Sequence, residues 1–471
     1  MKIGTTTGIG AFVIVIVSGI WFFTPSNVFN GAVVTLNPYN NNPLVAEVVV
    51  ETALPSKVRV TVHGRNQNSA DFSYVVSEFG ERSNTIPIIG LYEGYENNVT
   101  LEILNKFNVR RETVDVTIQT DVVEKGPVVS SVNFTEGDIP FFLIDRVLFD
   151  QEGYRRWHFV KPEMRGGVFP LSGGLFAAVS ENQNEFIILN VLGKEIAHYN
   201  IENQIHHEII EKTPGGNLLI GSNHAPGFRY FDTIIELERE SGEIVKTWDM
   251  RDYFDEERLG FQPWTPTSWF HLNSIQYDPS DNTLLISART QNVIAKIDYD
   301  GADVKWMLVN HEHWKPEFQK SLLTPTNFDT SKHKNQDWTY LQHTASVLPN
   351  GNILAYDNGA GRPGFGNRGN VVGTAEGGYA RVVEYAVDPE RMTVTKVFEY
   401  SDYPDRGSLR KGSVYPFGDK LFIGHGEFGH LVGIEKASKE KLFEMHFTED
   451  GELYEFYRAY PTSIENFTAG L

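Results

Sequence analysis

Fourteen histidines and no cysteine set the chemistry open to this 471-residue chain. Three histidines, His207 in IHHEII, His271 in WFHLNSI and His343 in LQHTASV, share one position: each opens a β-rich run that follows a polar loop. The loops that close such runs supply Asn223 and His224 (GSNHAPG), Arg289 (SARTQN), Asn358 and Arg362 (YDNGAGR), and His425, Glu427 and His430 (GHGEFGHL). A guanidinium grips two oxygens of an oxyanion, imidazolium and amide donors take the others, and one neutral imidazole can act as nucleophile. Histidine also changes charge near neutral pH, so a second imidazole can protonate a leaving oxygen and later deprotonate an acceptor hydroxyl. The set suits transfer of a tetrahedral oxyanion group.

Other chemistries fit less well. Three imidazoles and a water make a known zinc arrangement, but there is no HExxH motif and the nearby arginines would repel a dication. Without cysteine there is no disulfide framework, thiolate nucleophile or iron–sulfur site. GRPGFGNRG falls in a loop rather than between strand and helix, so a nucleotide-borne donor has no cradle. No cofactor or metal is expected. Taken singly, His206 or His207 also reads as a buried structural histidine, and Arg289 and Arg381 as ion-pair partners.

The elements that must position these residues repeat six times between 141 and 460. Two β-rich runs around a short turn recur at 143–159, 186–201, 232–250, 293–308, 379–400 and 431–447, with the turns DQEG, LGKE, ESGE, DGAD, DPER and ASKE. A second, inner pair recurs at 167–179, 207–222, 271–287, 343–357 and 412–424. The missing sixth inner pair is expected at 452–464, where it would complete the unit that Leu143 begins. Such an offset closes a ring and hides its sheet edges. The expected fold is all-β, with a six-bladed β-propeller over 140–465. Strand starts and post-hairpin loops then converge on one mouth of the ring.

Ahead of it, 30–125 alternates AVVTL, LVAEVVVE, KVRVTVHG, NVTLEIL and VDVTIQT with Asn, Pro and Gly clusters, which predicts a small β-sandwich joined by a linker over 121–138. Residues 1–25 carry Lys2, a hydrophobic run and Trp21, Phe22 and Phe23. They predict a membrane anchor or a cleaved signal, with the body periplasmic or otherwise outside the cytoplasm. A net charge of −20 excludes a nucleic-acid partner. A homodimer is compatible with the sequence.

WFHLNSIQYDPSDNTLLISARTQNVIAKID, QHTASVLPNGNILAYDNGAGR, YARVVEY and FYRAY resemble the bacterial arylsulfate sulfotransferases, and HGRNQNSADFSY and IPIIGLYEGYENNVTLEI are similar to that family's N-terminal domain. The resemblance implies a ping-pong reaction. A phenolic sulfate ester would sulfurylate a histidine, which passes the group to an acceptor phenol. By motif it implies His271 and His343 as auxiliary histidines, Arg362 as the sulfate-binding arginine and His430, in GEFGHL, as the nucleophile, with His425 as a rival for that role. Asn358, His207 and Arg289 are expected to bind substrate. A non-catalytic propeller that binds anions or glycans, or a propeller hydrolase or lyase using the same histidines, is the alternative.

Overall fold

The computed structural model describes residues 32–471 except 52–55, 67–68, 80–82, 106, 136–138, 226–229, 259–267, 302, 330–336 and 363–377. The N-terminal segment 1–25 therefore lies outside the described residues. Among the described residues no helix is long and apolar enough to cross a membrane.

The chain divides into two compact units, residues 1–124 with 156–160 and Leu471, and residues 125–155 with 161–470. In the first unit, Ala32–Leu36, Ala46–Glu51 and Ser83–Ile88 form one antiparallel sheet, and Phe72–Phe79, Ser56–Val62, Glu96–Leu104 and Arg110–Gln119 form another. Strand alternation sends every second side chain inward, and Val58, Val60 and Val62 are fully buried while the residues between them are not.

The second unit is all-β, and its described residues form six successive sheets. Met164–Leu171 to Glu195–Asn200, Ile209–Glu211 to Ile244–Asp249 and Leu272–Asp278 to Val304–Leu308 each make a four-stranded meander in chain order. The fifth sheet runs outward from His343–Val347 through Ile353–Asp357 and Ala380–Asp388 to Thr393–Tyr403, and the sixth from Ser413–Phe417 to Lys441–Glu449. Middle strands such as Thr283–Ala288 are buried throughout, because each sheet is covered on both faces. The outermost strands, such as Ile244–Asp249, expose alternate residues. Apolar clusters fill the gaps between consecutive sheets: Leu219 and Ile234 meet Leu284 and Ile286, and Leu285 and Ile294 meet Ile353 and Val383. The last gap joins the sixth sheet to the first, with the Phe142 ring 5.0 Å from Phe422 and 5.1 Å from Phe443.

Closure differs from the expected hairpin at 452–464. Gly451, at φ 83°, turns the chain so that Glu452–Leu453 extends the sixth sheet. Asp145 then accepts from the Tyr454 hydroxyl at 2.8 Å and the Tyr457 amide at 3.1 Å, steering the chain across. Only Ala459–Thr462 becomes the inner strand, antiparallel to Phe141–Ile144 from the other end of the unit. The linker expected at 121–138 also departs from the sequence reading: Val128–Phe134 is a strand paired with Lys441–Glu449. The register Phe443↔Phe134 to Thr448↔Val128 occupies an edge that would otherwise stay open.

Arg458, just before the closing strand, makes two 2.6 Å bonds to the Glu208 carboxylate and one of 2.7 Å to the Asn273 carbonyl, all buried. Removing one member of a buried pair strands the other charge at a cost of about 3–5 kcal/mol. Glu208→Gln is therefore expected to lower unfolding stability by that amount in urea melts, and a change below about 1 kcal/mol would show that the pair does not secure the closure.

Candidate functional site

A cavity of about 920 Å³ opens where the inner strands of the second unit begin. The strand starts contribute Arg165, His207, His271, His343, Lys411 and Tyr457, one from each sheet. The loops between second and third strands contribute Asp145, Gln183, Arg289 and Glu427. The repeat thus delivers its six strand starts to one place, as the strand pattern requires.

Local backbone sets the histidines apart from ordinary strand residues. His207 and His271 sit at φ 54° and 58°, left-handed values that non-glycine residues hold only when surrounding contacts impose them. His343 precedes a register irregularity between His343 and Ser346. The Phe231 ring lies 4.7, 4.9 and 4.8 Å from the rings of His206, His207 and His271, and His207 and His271 are 4.7 Å apart.

Hydrogen bonds fix which nitrogen of three imidazoles carries the proton. His343 Nδ1 lies 3.0 Å from the Leu341 carbonyl and 2.7 Å from Asn358 Oδ1. Asn358 keeps that orientation because its amide nitrogen donates to Ser408 Oγ and the Lys411 carbonyl. Both partners of Nδ1 only accept, so Nδ1 is protonated and Nε2 holds the lone pair. His206 Nε2 donates to the Ser222 carbonyl, leaving its Nδ1 to accept from His207 Nδ1 at 3.1 Å. The His207 Nε2 is then a lone pair as well. His271 differs, since its Nδ1 meets Ser268 Oγ at 2.7 Å and a hydroxyl can donate or accept.

Burial keeps these rings neutral. It lowers His343 to about 3 and His206 to about 4, and it holds His207 and His271 well below the usual range. The nearby Arg289 charge adds to the lowering at His271 and His343. Burial also lowers Arg289, to about 10, which leaves it cationic at neutral pH. Its Nε and Nη2 donate to the Leu409 carbonyl, and the Leu409 amide donates to Glu427 Oε2 at 2.6 Å. Glu427 reaches that point from a 3-10 turn, Gly426–Phe428, closed by Gly429 at φ 57°.

Of the residues expected to work together, His207, His271, His343 and Arg289 line the cavity, and Asn358 stands directly behind His343. Two do not line it. Arg362 is buried on Asp357 and the Trp338 carbonyl, beside Arg381, which donates to the same Asp357 at 2.8 Å. A carboxylate deep in the sheet has drawn both guanidinium groups inward. His430 opens a third strand rather than an inner one, with Nδ1 on the Tyr403 hydroxyl at 2.8 Å and Nε2 on Glu444 at 2.9 Å. His425 is likewise held by Tyr356 and Asp402. The placement of His430 at the funnel mouth is therefore corrected: its loop sends Glu427 there instead. Ser268, Lys411 and Tyr457 were missed. Lys411 and Tyr457 occupy the strand-start position already marked by the three histidines, and extending that register would have found them.

Comparison with known proteins identifies the family. Residues 141–458 match the model of the family described as Arylsulfotransferase (ASST), and residues 33–121 match its Arylsulfotransferase Ig-like domain. Arylsulfate sulfotransferase AssT from Escherichia coli O6:H1 is 26% identical across 91% of this chain and 92% of its own length. The protein of the same name from Lelliottia amnigena gives the same identity and coverage. Among solved structures, the β-propeller domain of Myceliophteria thermophila Cps50 (Swd1) overlaps 71% of this chain and 90% of its own, with TM-score 0.37 and 10% identity. With its match extending over residues 141–458, the chain belongs to the arylsulfotransferase family.

Proposed function

We propose that this chain is an arylsulfate sulfotransferase that moves a sulfuryl group from a phenolic sulfate ester to an acceptor phenol by way of a sulfohistidine. Family membership supports the activity. The observation that carries the mechanism is the pinned tautomer of His343, which leaves Nε2 unprotonated on a ring that lines the same cavity as Arg289.

The reading assigns roles as follows. Arg289 and Lys411 bind the sulfate oxygens, and Phe231 and Tyr457 flank the aryl ring. His343 Nε2 attacks sulfur; the N–S bond forms as the S–O bond to the aryl group breaks, and the phenolate leaves with the electron pair. A bound anion favours the charged form of a nearby imidazole, so His271, tuned by Ser268, is protonated on substrate binding and gives its proton to the phenolate. In the second half, His271 takes the proton of the acceptor phenol, whose oxygen attacks sulfur and frees His343. His207 orders the ring of His271 and supplies a second acceptor nitrogen. Asn358 is a positioning residue, because it acts through His343. Arg362 is read as a structural partner of Asp357.

The same reading takes the second unit as a six-bladed propeller over 140–465 and residues 30–125 as a sandwich. It places both outside the cytoplasm behind an N-terminal anchor or signal at 1–25. Donor and acceptor phenols are the partners, and a homodimer is compatible with it.

Intact-mass analysis after incubation with an aryl sulfate alone is expected to show one sulfuryl group, mapping to His343 at neutral or alkaline pH. His343→Asn should lose both the adduct and turnover, while His430→Asn should keep both. An adduct on another histidine would displace His343, and phenol release without any adduct would replace the ping-pong route with direct transfer or hydrolysis.

Arg289→Lys keeps a charge but loses the planar fork. Its rate with an aryl sulfate is expected to fall on the order of 10²–10³-fold, the scale of a lost oxyanion donor. A loss within about threefold would assign sulfate binding elsewhere.

His343 is lowered in the folded chain to about 3, below its usual 6.5, so the unfolded chain binds the proton first as pH falls. The stability it confers is complete above 6.5 and is lost progressively toward 3, by about 1.4 kcal/mol per pH unit. Denaturation midpoints between pH 7 and 5 should fall less steeply in His343→Asn than in the wild type. Equal slopes would mean that His343 takes up its proton in the folded protein as it does in the unfolded chain.

A further inference from the structure

Outside the cavity, the last sheet carries a second group of ligating side chains. His425, His430 and His446 stand in register on three neighbouring strands, paired His425↔His430 and His430↔His446. Glu444, two residues before His446, lies on the same face of its strand by the two-residue alternation. The His430 and His446 rings are parallel within 2° and 4.1 Å apart. One ligand atom from each of His430, Glu444 and His446 lies within 4.8 Å of the others. Glu444 Oε1 is 2.9 Å from His430 Nε2 and 4.0 Å from His446 Nε2.

We propose that His430, Glu444 and His446 form a binding site for a late first-row divalent cation, with Zn²⁺ as the fitting ion, on the outer strands of the sixth sheet. Two imidazoles and one carboxylate are a zinc donor set, and imidazole selects such ions over magnesium or calcium. Metal–ligand bonds of about 2.0–2.2 Å put tetrahedral ligand atoms roughly 3.3–3.6 Å apart, so the observed spacings need shifts of about an ångström or less. The Tyr403 hydroxyl, 2.8 Å from His430 Nδ1, can accept the proton that ligation through Nε2 leaves there, which fixes the ring in the usual manner of an outer partner. His446 and Glu444 are partly exposed, at 41% and 25% of their side chains, so an ion can enter and water can complete its shell. Lys441 now lies 3.1 Å from Glu444 Oε1 and 3.1 Å from Asp402; it must leave Glu444, and Asp402 retains it. The bound ion would tie His430–Glu435 to Lys441–Glu449, the strand that also carries Val128–Phe134.

The purified full chain, stripped with EDTA, is titrated with Zn²⁺ by calorimetry and with Co²⁺ by visible absorption. One equivalent is expected to bind with the intense d–d bands of four-coordinate Co²⁺, and to raise the melting temperature. His446→Ala and Glu444→Gln should each weaken binding by about tenfold or more while leaving arylsulfate turnover unchanged, since neither lines the cavity. No binding at millimolar metal, or one-equivalent binding that survives both substitutions, would overturn the site. Loss of turnover in either variant without loss of metal binding would give these residues a different role.

Discussion

The pairing of Ala459–Thr462 with Phe141–Ile144 is the constraint on which the second unit depends. It brings together residues more than 300 positions apart, and it lets the first sheet pack against the last through Phe142, Phe422 and Phe443. Loop-closure entropy grows only slowly with length, so the long connection is tolerated once the six sheets are stacked. The route to that strand passes through Asp145, Tyr457 and Arg458, and two of these three line the cavity or touch it directly. Closure and site construction are therefore one event. The segment that seals the unit also supplies Tyr457, 5.9 Å from His207 and 6.4 Å from His343 by ring centroids.

Neutrality of the imidazoles follows from where the strands start. A strand start beneath several loops is shielded from water, and desolvation disfavours the charged ring. The charges of Arg289 and Arg458 reinforce it at His343. The cavity therefore combines the cationic Arg289 with histidine rings whose lone pairs carry no extra proton. The carbonyls of Leu341 and Ser222 then do what a carboxylate does in many histidine sites, fixing the tautomer, yet add no negative charge of their own.

Competition for carboxylates decides how each arginine is held. Arg362 and Arg381 share buried Asp357, a pairing set by the cross-strand register Asp357↔Arg381. Among the described residues, the hydrogen bonds of Arg289 go to a backbone carbonyl, with Glu427 behind it on the Leu409 amide. A guanidinium on a carbonyl keeps most of its charge available, whereas one on a buried carboxylate is neutralised in place.

The amino-acid sequence by itself determined the repeat, the all-β class and the convergence of strand-start histidines, because period-two alternation and turn residues are local signals that survive in any context. It also marked family membership through segments such as WFHLNSI and LQHTASV. Only the tertiary structure decided which loop residues face inward. In GHGEFGHL a one-turn 3-10 segment sends Glu427 to the cavity and returns His430 to the sheet, a choice that rests on Gly429 at φ 57° and on the Tyr403 and Glu444 partners contributed by distant strands. Likewise, Asp357 stands in the same YDNGAGR segment as Arg362, but only the fold shows that it is buried and shared with Arg381. The strand Val128–Phe134 and the single closing strand at 459–462 were hidden for the same reason, since an edge is filled by whichever segment the folded chain brings to it.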